Sequence, residues 1–222
     1  MNRVCLLAAV SALALATLTD VAAAGPAANS SRNFRPSPKG AKLLYDQNSN
    51  SSGNGVGSQN FTSGTFSSSD NSGADDFVVP KKMRWTITEV DVTGFYYNGP
   101  GPAKSEDVIF YRDDNGVPGK RIARGLFRSL VGADENGSFA ITLPGHGLSL
   151  KPGTYWVAVI ANCSYKGGCG EWAWELSTVD HGNKPMWREP GKSRCGVWTE
   201  IESCFGYDGD LEFALGGKEK RK

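Results

Sequence analysis

The strongest constraint on the fold is a series of short apolar segments separated by turns rich in glycine and proline. Residues 138–143 alternate apolar and polar positions, which is typical of a strand with one buried face, whereas 107–112 and 154–161 are apolar on both faces, as central strands are. Gly and Pro together supply 28 and 11 of the 222 residues and concentrate in turns such as 113–119. No segment has the period of an amphipathic helix. The sequence therefore predicts an all-β protein, a jelly-roll-like antiparallel β-sandwich.

One of these strands carries a break in its pattern. Apolar residues occur at Trp85 and Ile87 and then at Val90 and Val92, so the alternation slips by one position near Thr88. Because a slip of one residue exchanges the two faces of a strand, we predict a β-bulge at that point. The remaining predicted strands cover residues 41–46, 76–80, 171–176 and 210–215.

The two ends of the chain differ in composition from its centre. Arg3 precedes an apolar run that is followed by Ala22–Ala24, which is the pattern of a cleaved secretory signal peptide, and the run of about 15 residues is too short to span a bilayer. We therefore expect a secreted or periplasmic protein that is monomeric. The predicted organisation is a signal peptide over 1–24, a flexible lead-in over 25–40, one β-sandwich domain over 41–217 with a Ser/Gly/Asn-rich surface loop at 48–73 that holds one weak strand, and a basic solvated tail at 218–222.

Four cysteines, Cys163, Cys169, Cys195 and Cys204, remain after removal of the signal peptide. An even number in an exported chain predicts two disulfides, for which three pairings are possible. The intervals of five and eight residues do not fit the close pairs of a zinc site. The turn-like sequence within the first interval favours the local pairing, Cys163–Cys169 and Cys195–Cys204.

Several strings in this chain resemble those of a known group of proteins. They are 74–77 followed by Val79 and Pro80, 85–92, 110–119, 150–156 and 210–213. In this order they resemble the secreted β-sandwich modules of bacterial surface proteins of the choice-of-anchor and PEP-CTERM type, and the resemblance spans roughly residues 41–217. It implies an extracellular module rather than a particular mechanism. No apolar segment precedes the basic tail here, in contrast to the anchored members of that group.

The sequence gives little support for catalysis. His146 and His181 both lie in turn-like sequence, and the chain has no nucleophile-elbow or zinc-protease motif. Glu171 and Glu175 share one face of a predicted strand, but four residues at about 3.3 Å each place their backbones roughly 13 Å apart, beyond the separation of glycosidase carboxylates. A pair from distant segments, Asp75 or Asp76 with Asp210, stays open as the basis of a hydrolase.

Calcium is the one cofactor that the sequence suggests. Asp113, Asp114 and Asn115 provide hard oxygen ligands in a turn, and Asp75 and Asp76 are further candidate ligands. The turn does not match the EF-hand template. The alternative is that these side chains cap turns and hold no metal.

Aromatic residues provide the main hint of function. Trp156, Trp172 and Trp174 lie in predicted strands and are expected in the core, whereas Trp187 and Trp198 lie in the irregular region near the last two cysteines. Exposed flat rings stack on sugars, so the predicted ligand-binding residues are Trp187, Trp198, Tyr165 and Tyr207.

Charge helps to choose among partners. Lys and Arg total 24 against 23 Asp and Glu, which argues against a nucleic-acid binder. Small basic clusters at 81–84 and 218–222 are either solvated charge or an attraction for acidic polymers. We expect a non-catalytic extracellular binding or adhesion module, with a polysaccharide or cell-surface glycan as its partner. The alternatives are a hydrolase acting on extracellular or envelope polymers and a structural surface protein.

Overall fold

The protein folds into antiparallel β-sheets packed face to face. The computed structural model describes residues 41–48, 50–62, 64–166 and 168–221, and the backbone of 23–24. The predicted signal peptide and lead-in lie almost entirely outside the described residues. The strands are β1 (Ala23–Ala24), β2 (Lys42–Asp46), β3 (Ser51–Gly57), β4 (Gln59–Phe61), β5 (Ser72–Val79), β6 (Met83–Val92), β7 (Gly94–Tyr97), β8 (Ser105–Asp113), β9 (Pro118–Leu130), β10 (Ala133–Glu135), β11 (Ser138–Thr142), β12 (Leu148–Leu150), β13 (Gly153–Cys163), β14 (Glu171–Ser177), β15 (Met186–Arg188), β16 (Thr199–Glu200) and β17 (Phe213–Arg221).

Within the described residues, helical structure is limited to short pieces. A 3₁₀ turn covers Ser67–Ser69, and helix α1 covers Ile201–Phe205 and ends at Gly206, whose φ of 76° gives the left-handed conformation that closes helices. In the described part of the chain, no helix has the length and apolar character needed to cross a membrane.

The strands form three sheets. Sheet 1 has the order β1-β3-β14-β7, sheet 2 the order β10-β11-β6-β17-β2 with β12 also beside β6, and sheet 3 the order β16-β15-β5-β13-β8-β9 with β4 also beside β13. All pairings are antiparallel except that of β4 with β13. The predicted antiparallel β-sandwich is therefore confirmed.

The core lies between sheet 2 and the other two sheets. Trp85, Ile87, Val90 and Val92 of β6 all point into it, at exposures of 4% or less. This is possible because β17 pairs Gly216 with Glu89 and Gly217 with Ile87, which leaves Thr88 as an extra residue in β6. The predicted β-bulge is thus confirmed, and it restores the inward direction of the second apolar pair.

Residues 48–73 are only partly the surface loop that their composition predicts: the described residues of 62–69 are mostly exposed turn, and the strands lie on either side of them. The segment 48–73 contains β3 and β4, which pair with β14 and β13, and Val56 is fully buried. Side chains satisfy much of the polar backbone, since Asn71 accepts from the N–H of Gln59 and Gln59 accepts from that of Trp172. Polar residues therefore build a buried strand here because their hydrogen bonds are made within the fold.

The predicted basic tail is also partly wrong. Residues 218–221 continue β17 and pair with Thr86 to Met83 of β6, so they belong to sheet 2. The long strand β9 is a further element that the sequence does not reveal, because three register shifts against β8 disrupt its alternation.

The cysteines pair as predicted. Cys163 is bonded to Cys169 and Cys195 to Cys204, with Cα–Cα distances of 5.8 and 6.2 Å. Such bonds persist in oxidising compartments, which is consistent with an extracellular location.

Candidate functional site

The four predicted ligand-binding aromatic residues do not form one platform. Trp187 is only 2% exposed, and its Nε1 donates to the carbonyl of Gly57 at 2.7 Å. Tyr207 packs on Phe205, whose ring contacts Trp187 edge-on at 4.9 Å. The structure therefore corrects the prediction for Trp187. It lies in the core because its strand, β15, pairs with β5 through Gly73, and it faces inward.

Tyr165 lies in a different aromatic cluster, beside β4. Its ring centroid is 5.0 Å from that of Phe66, which in turn packs on the buried Phe61 at 6.2 Å. The ammonium of Lys166 lies 5.7 Å from the centre of the Phe66 ring. Tyr165 is partly buried by these contacts and fastens the segment after β4 to the end of β13.

Trp198 is the predicted residue that lies on an outer surface. It packs on a small apolar cluster on the outward face of sheet 3, opposite the main core, whose buried members are Ala74, Tyr111, Trp156, Ala158 and Met186. The indole of Trp198 is partly buried and meets Tyr111 edge-to-face at 5.8 Å, and the neighbouring Val197 is 74% exposed. The disulfide Cys195–Cys204 brackets Trp198 and holds its loop against α1.

Two arginines complete this surface. On β15, residues alternate, so Trp187 faces the core and Arg188 faces outward, where its Cζ lies 4.2 Å from the centre of the Trp198 ring. On β9, Arg121 is directly opposite Tyr111 and is exposed. We call Tyr111, Arg121, Arg188 and Trp198 the outer patch.

The electrostatics of the outer patch are cationic. Burial raises the pKa of Tyr111, and the positive charges of Arg188 and Arg121 oppose that rise. Neither arginine forms an ion pair with a carboxylate in the described part of the chain. The Nε of Arg188 is buried and has no hydrogen-bond partner among those residues. Arg188 donates a hydrogen bond to the hydroxyl of Tyr111, so its guanidinium is held beside the indole by a neighbour within the patch.

The carboxyl groups of Asp75 and Asp210, which are distant in the sequence, lie near each other in the fold, but in its interior and not at the surface. Asp75 accepts from Gln47 Nε2 at 2.9 Å and from the N–H of Leu211 at 2.8 Å, and Asp210 accepts from the N–H of His181. Asp75 and Asp210 have 0% exposure. Burial, and next the negative charge of Asp210, raise the pKa of Asp75 well above its ordinary value. Because both side chains are fully buried, a polymer has no access to either carboxyl group.

The other carboxylates that the sequence offered for catalysis also make internal contacts. Glu171 accepts from Tyr97 at 2.7 Å and from Asn98 at 2.9 Å, and Glu175 accepts from Ser51. His146 and His181 are exposed, as expected for turn residues, and the Nδ1 of His181 lies 3.4 Å from Asp210. The hydrogen bonds to Glu171 and Glu175 give these carboxylates a structural role.

The aspartates of the calcium hypothesis accept hydrogen bonds from the protein itself, although Asp75 lies near Asp76, and Asp76 near Asp113, closely enough for their charges to interact. Asp113 accepts from Trp156 Nε1 at 2.9 Å and from the N–H of Gly116 at 3.1 Å. Asp76 accepts from the N–H and the side chain of Asn183. The remaining candidates are Asp75, described above, and Asp114 and Asn115, which are exposed and bonded to each other at 3.3 Å. Among the described residues, no group of three or more His, Cys, Asp or Glu side chains is arranged to hold a metal ion.

Comparison with protein-family models, with curated proteins and with solved structures finds no match. The resemblance to bacterial surface modules therefore stays a prediction. The outer patch is identified from the structure, and three of its members, Tyr111, Arg121 and Arg188, have no distinguishing motif in the sequence.

Proposed function

We propose that this protein is an extracellular binding module that holds a saccharide on the outer patch. The observation that carries the proposal is the stacking of Arg188 on Trp198, at 4.2 Å, beside a second guanidinium, that of Arg121. Saccharide sites combine an apolar ring surface with a few polar groups that fix hydroxyl or carboxyl oxygens. The outer patch offers both within one cluster.

The residues around Trp198 hold its side chain in place before a ligand binds. Tyr111 and the disulfide Cys195–Cys204 hold Trp198, so little side-chain freedom is lost when a ligand binds. Two disulfides and a chain without a membrane-spanning helix in its described part agree with the secreted or periplasmic location expected from the sequence.

A non-catalytic role is favoured over the hydrolase alternative. The paired carboxyl groups of Asp75 and Asp210 are fully buried, and those of Glu171 and Glu175 accept hydrogen bonds from neighbouring side chains. A general acid or base must come within hydrogen-bond reach of its substrate. The contacts of these groups instead stabilise the sandwich that carries the patch.

A glycan array of neutral and acidic oligosaccharides, followed by calorimetric titration of the best ligand, tests the proposal. We expect Trp198→Ala and Arg188→Gln each to weaken binding at least tenfold, which corresponds to about 1.4 kcal/mol. Tyr165→Ala and Arg124→Gln are matched controls, because Tyr165 lies beside β4 and Arg124, although on β9, is not paired with Tyr111. Unchanged binding by Trp198→Ala, or the absence of any glycan ligand for the native protein, would overturn it.

A further inference from the structure

A second surface of the molecule collects positive charge from two distant parts of the chain. Strands β6 and β17 pair so that Lys220 is directly opposite Arg84, Lys218 is opposite Thr86 and Arg221 is opposite Met83. The two basic clusters of the sequence, 81–84 and 218–222, therefore meet on one sheet. Lys222 itself lies outside the described residues.

The register shows which way these side chains point. Trp85 lies between Arg84 and Thr86 and is buried in the core at 4% exposure, so its two neighbours project from the opposite face of sheet 2. Directly opposed residues share a face, which places Lys218 and Lys220 there as well, and both are exposed. Strand β12 extends the same face, because Ser149 is opposite Thr86 and accepts from Arg84 Nη1 at 3.3 Å.

The charges on this face are not balanced locally. Like charges directly opposite each other on neighbouring strands destabilise a sheet, and Arg84 with Lys220 is such a pair. Two carboxylates lie near this face: Glu219 forms an ion pair with Lys42, and Glu89 lines the same groove as Lys218. We name the following cations, none of which forms an ion pair within the described residues, the basic face: Lys81, Lys82, Arg84, Lys151, Lys218 and Lys220.

The positive charge of the basic face contrasts with the near-zero net charge of the whole chain. The whole chain has a formal charge of +1, so six cations at one end of a sheet are a local feature and not a consequence of a basic protein. A patch of one sign raises the local concentration of oppositely charged partners, and its effect extends about 10 Å at 0.1 M salt. The basic face therefore acts on molecules that carry several negative charges.

We infer that the basic face binds an acidic, carboxylate-bearing polysaccharide, independently of the saccharide proposed for the outer patch. Alternate residues on a strand are about 6.6 Å apart and neighbouring strands about 4.8 Å apart, so the lysines and arginines form a grid. An extended polymer with one carboxylate per sugar unit presents charges at similar intervals along its length. Nucleic acids are less suited, because single strands are held by stacking on aromatic rings and Trp85 faces the core.

Binding to polygalacturonate tests this inference, with dextran as the neutral comparison. We expect the native protein to bind polygalacturonate in 50 mM NaCl, to lose at least tenfold in affinity in 500 mM NaCl and not to bind dextran. The triple variant Arg84→Gln/Lys218→Gln/Lys220→Gln should bind at least tenfold more weakly. Its thermal midpoint should equal or exceed that of the native protein, because opposed like charges are removed.

A matched triple variant separates this face from a general charge effect. Lys104→Gln/Lys120→Gln/Arg124→Gln removes the same formal charge from exposed residues elsewhere and should bind polygalacturonate like the native protein. Trp198→Ala should also bind it normally, so failure of the outer patch and failure of the basic face are distinguishable. Equal weakening by both triple variants, or equal binding of the native protein to single-stranded DNA or to phosphatidylglycerol vesicles, would overturn the inference.

Discussion

The buried carboxyl group of Asp210 should make the protein more stable in mild acid than at neutral pH. Its side chain has 0% exposure, and its Oδ1 has no hydrogen-bond partner among the described residues. Burial raises the pKa of Asp210 from 3.8 to about 6, although the backbone N–H of His181 and the imidazole ring beside it work in the opposite direction. The charged form is therefore disfavoured inside the fold.

The sign and size of the effect follow from this pKa. Between about pH 4 and pH 6 the folded protein retains a proton on Asp210 that the unfolded chain has lost, so the free energy of unfolding falls as the pH rises through this range and stays low above it. One pKa unit corresponds to about 1.4 kcal/mol, which gives a loss on the order of 2–3 kcal/mol by pH 7. Burial likewise raises the pKa of Glu106 to about 7, so the native protein should continue to lose stability up to that pH.

The substitution Asp210→Asn isolates the contribution of this group. The asparagine retains an oxygen that accepts from the N–H of His181 but cannot ionise, and it removes a negative charge next to Asp75. At pH 7 we expect the variant to be more stable than the native protein by about 2 kcal/mol, or roughly 4–8 °C in thermal midpoint. At pH 4 this advantage should vanish.

Urea unfolding at pH 4, 5, 6, 7 and 8 measures this difference directly. The matched control is Asp208→Asn, two positions away on the same exposed loop, where the hydrogen bond from Lys184 lowers the pKa of the carboxyl group. That pKa has the opposite consequence, because the stability it provides is present above the unfolded pKa and is lost as the pH falls. If Asp210→Asn were less stable than the native protein at pH 7 and kept the same pH dependence, a buried proton on Asp210 would be the wrong explanation.

Three further predictions concern stability. Trp187→Ala should reduce the free energy of unfolding by about 3–5 kcal/mol, measured in urea, because it empties a core site; a cost below 1 kcal/mol would contradict its burial. Replacing Cys195 and Cys204 together by serine should lower it by about 2–3 kcal/mol and also weaken glycan binding, and unchanged glycan binding would show that the disulfide does not position Trp198. Gly209→Ala should lower the thermal midpoint more than Gly191→Ala, because both have positive φ but only at Gly209 would a Cβ overlap a backbone carbonyl oxygen; equal effects would refute this account.

The sequence alone predicts those features that depend on residues near one another along the chain. Alternation and runs that are apolar on both faces identify the strands that build much of the core, and the slip between Ile87 and Val90 locates the bulge, because the side-chain period of a strand is local and fixed. Cysteines six and nine positions apart pair with each other since short loops bring them together. Both features depend on residues that are close together in the sequence.

Tertiary structure decided everything that depends on which strands become neighbours. The polar segments β3 and β4 form strands because β14 and β13 supply hydrogen bonds, and residues 218–221 leave the predicted tail because β6 pairs with them. The outer patch and the basic face arise in the same way, from strands far apart in the chain. Strand pairing is a long-range choice among many registers with similar local patterns, so the local pattern does not contain it.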